Sequence, residues 1–146
     1  MNPPPGFELL KRGGPFFGLL GPIYHRRLPD AGLVIALRVE GKHTNMRGIA
    51  HGGMLATLCD AALGINLSMS RQPPQSMVTV NLSTDFIEAA RPGDWLEAHV
   101  HLRKTGRRLA FAECVLQVDG RVIARATGVF STVAAPVPAP APPLGS

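Results

Sequence analysis

From His51 to Ser70 the chain contains no proline and one charged side chain, Asp60, among Met54, Leu55, Ala56, Leu58, Cys59, Ala61, Ala62, Leu63, Ile65, Leu67 and Met69. This pattern predicts a helix over 51–70 that is apolar on nearly every face, and such a helix has to be covered on all sides. Whatever else the chain builds must therefore wrap it. The flanking segments are suited to that task. Leu33 to Val39 lie in a run that predicts a strand over 32–40. After the Gln72, Pro73, Pro74 break, four more strands are expected, over 77–88, 95–104, 107–118 and 121–133. In the first of these, Val78, Val80, Leu82, Thr84 and Phe86 alternate with Thr79, Asn81, Ser83 and Asp85; in the second, Leu96, Ala98, Val100 and Leu102 alternate with Glu97, His99, His101 and Arg103. Asp119 and Gly120 predict a two-residue hairpin between the last two strands. The expected fold is α+β: a central helix, then a four-stranded antiparallel meander, with the 32–40 strand at an edge.

Composition sets the scale. With 146 residues, 45% of them apolar and 17% charged, the chain suits one compact domain and is unlike a disordered tail. Its apolar runs are broken short of the roughly 18 to 20 residues of a bilayer helix, so no membrane span is expected. The first residues carry no secretion-signal pattern, and a cytoplasmic location is the expectation. Residues 1–31, interrupted by Gly and Pro, should form short helices and turns packed on the domain at 32–133, and 134–146 reads as a disordered Pro/Ala-rich tail.

The formal net charge of +5 raises the question of nucleic acid. The cations are scattered and aromatics make up only 5% of the chain, so base stacking has little to work with and no nucleic-acid partner is expected. One dense cluster exists, Arg103, Lys104, Arg107 and Arg108, suited to a phosphorylated small molecule. Cys59 and Cys114 stand apart in apolar surroundings and read as reduced buried thiols. His99, His101 and Glu97 share a strand face, but without a further ligand at a sensible spacing a solvated face is the better reading and no metal is expected.

Asp60 is the residue that asks for chemistry, because an unpaired carboxylate on a buried helix is costly. The helix start reads Asn45, Met46, Arg47, Gly48, Ile49, Ala50, His51, Gly52, Gly53, and the adjacent glycines leave unobstructed N–H groups where the helix dipole is positive, an arrangement suited to an oxyanion. Asp60 lies eight residues after Gly52. That is about 12 Å along the axis, too far for one carbonyl to meet both. If both serve one site, two antiparallel copies of the helix about a two-fold axis must share it, which predicts an isologous dimer.

The string Asn45, His51, Gly52, Gly53, Asp60, Gly64 resembles the hotdog-fold acyl-CoA thioesterases, in the phenylacetate-pathway (PaaI-like) branch with its mammalian acyl-CoA thioesterase relatives. The likeness runs over about residues 33–133. It implies an antiparallel sheet wrapped around a long central helix and a homodimer or dimer of dimers. It further implies hydrolysis of an aromatic or medium- to long-chain acyl-CoA without a cofactor, CoA being part of the substrate. On this resemblance the Gly52 N–H polarises the thioester carbonyl and Asn45 helps to fix it or the water. Asp60 of the opposite subunit is general base or nucleophile, His51 orients the leaving thiolate, and Thr79 offers the water a hydroxyl. Arg103, Lys104, Arg107 and Arg108 would meet the CoA phosphates, and Phe16, Phe17, Leu19 and Leu20 would line the acyl end. Structural roles compete with these: Asn45 as a turn residue, His51 as a helix N-cap, Thr79 as an ordinary strand residue. The functional alternative is a non-catalytic acyl-CoA-binding protein of the same fold.

Overall fold

The computed structural model describes residues 2–133; the tail expected at 134–146 lies outside the described residues. Among the described residues there are two helices, α1 (Gly14–Gly18) and α2 (Gly52–Met69), with a single 3-10 turn at Gly41–His43. The strands are β1 (Glu8–Leu9), β2 (Tyr24–Arg27), β3 (Leu33–Arg38), β4 (Met77–Phe86), β5 (Trp95–Thr105), β6 (Leu109–Val118) and β7 (Arg121–Thr132). Among the described residues they form one antiparallel sheet in the order β1-β2-β3-β5-β6-β7-β4.

The sheet wraps α2, as expected, but its order departs from a four-stranded meander. Only β5, β6 and β7 form one. Asp119 and Gly120, with φ of 48° and 81°, close the β6–β7 hairpin tightly enough to force adjacency. The β4–β5 connection at 87–94 is too long to do so, and β4 crosses to the far edge to pair with β7. β3, expected at an edge, lies inside the sheet between β2 and β5. The N-terminal segment, expected as helices and turns, contributes β1 and β2 as well as α1.

Helix α2 buries Met54, Leu55, Leu58, Cys59, Ala62, Leu63, Ile65, Asn66 and Leu67. These side chains meet Leu33, Ile35, Leu37, Leu96, Ala98, Leu116, Ile123 and Phe130 of the sheet in one core. Burial is not uniform, however. Ala56, Thr57, Asp60, Ala61, Gly64 and Ser68 recur at helical spacing and are only half-buried. The helix expected to be covered all round thus keeps one open stripe of small residues, with Asp60 in the middle of it.

Asn66 explains how α2 is fixed to the sheet. Its Oδ1 accepts from the Leu33 N–H at 2.9 Å, and its Nδ2 donates to the Leu33 carbonyl at 3.0 Å and to the Ala62 carbonyl at 2.9 Å. All of these groups are buried. Replacing Asn66 by Leu strands both main-chain groups of Leu33, and we expect urea unfolding to show a loss of about 2 to 4 kcal/mol. A loss below about 1 kcal/mol would mean that the amide is not the staple.

Strand β4 holds a second departure. The alternation through Val78, Val80, Leu82 and Phe86 is broken by a bulge between Thr79 and Asn81, which pair with Phe130 and Val129. Val80 is the extra residue, so the side-chain phase inverts there. Met77 and Thr79 before the bulge, and Leu82 after it, face α2. Val78, Val80 and Phe86 are more than half exposed along the free edge, so the face they were expected to share with Leu82 is not uniform.

Candidate active site

His51 caps α2. Its Nδ1 accepts from the Gly53 N–H at 2.8 Å, and its own N–H donates to the His43 carbonyl at 2.8 Å. Because Nδ1 accepts, the ring proton of the neutral imidazole is on Nε2. The glycine pair has a local reason: a methyl group on Gly53 would stand 3.1 Å from the capping ring. The structural role weighed for His51 is therefore present, and it leaves Nε2 as a donor at an exposed position.

Gly52 opens the helix, and among the described residues its N–H has no hydrogen-bond partner. It lines a cleft of about 290 Å3 with Asn45, Leu55, Phe86 and Glu88. Asn45 is held by an Asx turn, its Oδ1 accepting from the Arg47 N–H at 2.9 Å, which leaves the Nδ2 donors uncommitted. The two donors expected at a carbonyl thus share one cleft.

Asp60 lines a different cleft, of about 350 Å3, with Gly13, Phe16, Phe17, Ala56, Thr57, Ala61 and Leu82. The Thr79 hydroxyl donates to Asp60 Oδ1 at 2.6 Å. This contact exists because Thr79, just before the β4 bulge, faces the helix, and among the described residues Oδ2 has no hydrogen-bond partner. The donor half and the carboxylate half are separate places in one chain, as the helix rise required. Of the acyl-end residues, Phe16 and Phe17 line the Asp60 cleft; Leu19 and Leu20 line neither cleft.

The basic cluster divides. Arg103 Nη2 is paired with Glu113 Oε2 at 2.8 Å, and the hydrogen bond from Arg103 holds the Glu113 carboxyl below its ordinary range. Lys104, near the end of β5, and Arg107 and Arg108, on the β5–β6 turn, are exposed, without a carboxylate partner among the described residues. Arg71, just past α2, donates from Nη2 to the Gly106 carbonyl at 2.6 Å and fixes that turn.

Elsewhere, His99 Nε2 meets Glu97 Oε1 at 2.8 Å and Gln117 Nε2 at 3.0 Å on the sheet face away from α2. Among the described residues no group of three or more His, Cys, Asp and Glu side chains is placed to hold a metal. Cys59 and Cys114 are free and buried; hydrogen bonding to Cys59, then burial, push the Cys114 thiol up, away from thiolate chemistry.

Sequence reasoning missed His43, Arg71 and Phe86. His43 is buried, accepts the Glu40 N–H at Nδ1 and donates from Nε2 to the Leu20 carbonyl at 2.8 Å. It ties the segment after α1 to the loop that leads into the His51 cap. A reciprocal Glu40 and His43 pair three residues apart was its only sequence signal.

Gly52 and Asp60 thus lie on one long helix wrapped by an antiparallel sheet, with free donors at its N-terminus and a carboxylate about two turns on. The thioesterase superfamily profile matches residues 47–124. The candidate esterase PA0474 of Pseudomonas aeruginosa is 50% identical over 130 residues, covering 89% of this chain and 97% of that protein. Acyl-coenzyme A thioesterase 13 of Mus musculus is 32% identical over 95 residues, 64% of this chain and 67% of that one. The smu.793 protein of Streptococcus mutans, solved bound to acetyl CoA, superposes with a TM-score of 0.64 at 25% identity, over 69% of this chain and 80% of that one. The chain belongs to the thioesterase superfamily, and it is a hydrolase acting on thioesters.

Proposed function

We propose that the protein hydrolyses acyl-CoA, with an aromatic or medium- to long-chain acyl group, in a site that two copies of the chain complete. The observation that carries this reading is the separation of the Asn45 and Gly52 donors from the Asp60 and Thr79 pair into two clefts of one chain. An antiparallel dimer that sets Gly52 of one copy against Asp60 of the other has its two-fold axis at Ala56, midway between them. Ala56 lies on the open stripe of small residues, where two helices can approach closely. The free β4 edge, with Val78, Val80 and Phe86 exposed, offers a second surface to the same partner.

In such a site the thioester oxygen accepts from the Gly52 N–H and the Asn45 amide of one copy. Asp60 of the other takes a proton from water as the water oxygen attacks the carbonyl carbon, or attacks that carbon itself to give a mixed anhydride that water then opens. The negative charge that collects on the thioester oxygen is met by the two donors. When the carbon–sulfur bond breaks, His51 Nε2–H hydrogen-bonds the departing thiolate. Thr79 orients Asp60 through Oδ1 and keeps Oδ2 for the proton.

The same antiparallel alignment sets the partner's 45–51 loop beside the C-terminal half of α2, the end at which Arg71 holds the basic turn. CoA phosphates leaving the site in that direction meet Lys104, Arg107 and Arg108. Replacing these three by Ser should raise KM for acyl-CoA roughly tenfold and flatten its dependence on salt. An S-acyl pantetheine, which lacks the nucleotide, should show neither change. Equal effects on both substrates would remove the phosphates from the account.

The test of the reading as a whole is free-thiol release from a panel of acyl-CoAs. Turnover supports the enzyme. Tight binding without turnover of any of them would favour the non-catalytic acyl-CoA-binding protein.

A further inference from the structure

Helix α1 is short, yet it is held from two sides. Phe17 is 4% exposed and packs into the core, and Gly13, at φ +114°, is needed beside it because a methyl there would stand 2.4 Å from the Phe17 ring. Beyond the helix, the Leu20 carbonyl accepts from the buried His43. This fixed bracket presents the preceding residue, Phe16, outward: its ring is 69% exposed and lines the cleft that holds Asp60. The α2 side of that cleft is built from the small side chains of Ala56, Thr57 and Ala61. A large aromatic ring on a rigid support, lining the same cleft as the Asp60 carboxylate, has the properties of a substrate contact.

On the thioesterase reading, we propose that Phe16 is the acyl-selecting residue of this enzyme, its ring packing against the apolar body of the acyl group and favouring a phenyl or medium-chain acyl over a short one. A contact to the acyl group discriminates among substrates that share the same CoA. Leu82, from β4, supplies further apolar surface to the same cleft.

The experiment compares kcat/KM for phenylacetyl-CoA, octanoyl-CoA and butyryl-CoA in the wild type, Phe16→Ala and Phe16→Leu. The ratio of the preferred longer substrate to butyryl-CoA should fall roughly tenfold in Phe16→Ala, with part of it restored in Phe16→Leu. A merely structural role would lower all three substrates alike and leave the ratio where it was; that result, or no change at all, overturns the proposal. Wild-type protein that releases no thiol from any of the three would instead sink the thioesterase reading beneath it.

Discussion

Asp60→Asn should lower kcat for thioester hydrolysis by about 10²- to 10⁴-fold while leaving KM and Tm close to wild type. The substitution is nearly isosteric. Its amide oxygen still accepts the Thr79 hydroxyl, so the cleft keeps its shape and the bond that orients the side chain. What disappears is the anionic oxygen, which both chemical routes need, one to take the water proton and the other to attack the carbonyl carbon. Asp60 is only half-buried on the open stripe of α2, so removing its charge should not unfold the helix. Free-thiol release at saturating acyl-CoA is the measurement, and turnover within twofold of wild type would remove Asp60 from the chemistry.

Gly52→Pro should be nearly as damaging, by about 10²- to 10³-fold in kcat, the usual effect of losing one oxyanion donor. Proline is an apt probe here because it deletes an N–H without breaking a helix bond. Gly52 is the first helical residue, a position that proline tolerates, and its N–H makes no hydrogen bond among the described residues. The preceding His51, at φ −67° and ψ 134°, already has the extended backbone that a following proline demands. A new Cβ would stand 3.4 Å from Phe86 Cζ, and that ring is 56% exposed and free to give way. We therefore expect Tm to stay within a few degrees of wild type. Full activity in Gly52→Pro would mean that the carbonyl is held elsewhere.

The parts of this account that the sequence disclosed are those written locally. The proline-free apolar span placed α2 to within a residue at each end, with His51 and Ser70 as its caps, and the 1.5 Å rise per residue separated Gly52 from Asp60 on spacing alone. The hairpin at Asp119 and Gly120 was likewise a local matter. What the sequence hid depends on distant partners. Nothing near β4 announces that it pairs with β7, and the bulge at Val80 inverts the side-chain phase part-way along the strand, where strict alternation takes an unbroken register for granted. That inversion matters for the site, since Thr79 before it and Leu82 after it both face α2. Asn66 and His43 looked like ordinary polar residues because their partners, Leu33 and Leu20, lie 33 and 23 positions away. β1 and β2 escaped notice because two- and four-residue strands amid Gly and Pro carry too little pattern to read.

The central claim, that one site draws on two chains, is tested most directly by mixing the two inactive variants. Asp60→Asn and Gly52→Pro chains, unfolded together and refolded, should form mixed dimers in which one of the two sites inherits an intact Asp60 from one chain and an intact Gly52 from the other. With random pairing, thiol release should return to about a quarter of the wild-type rate, while each variant refolded alone stays inactive. If mixed dimers form and no activity returns, each chain holds its own complete site, and the shared-site account is wrong.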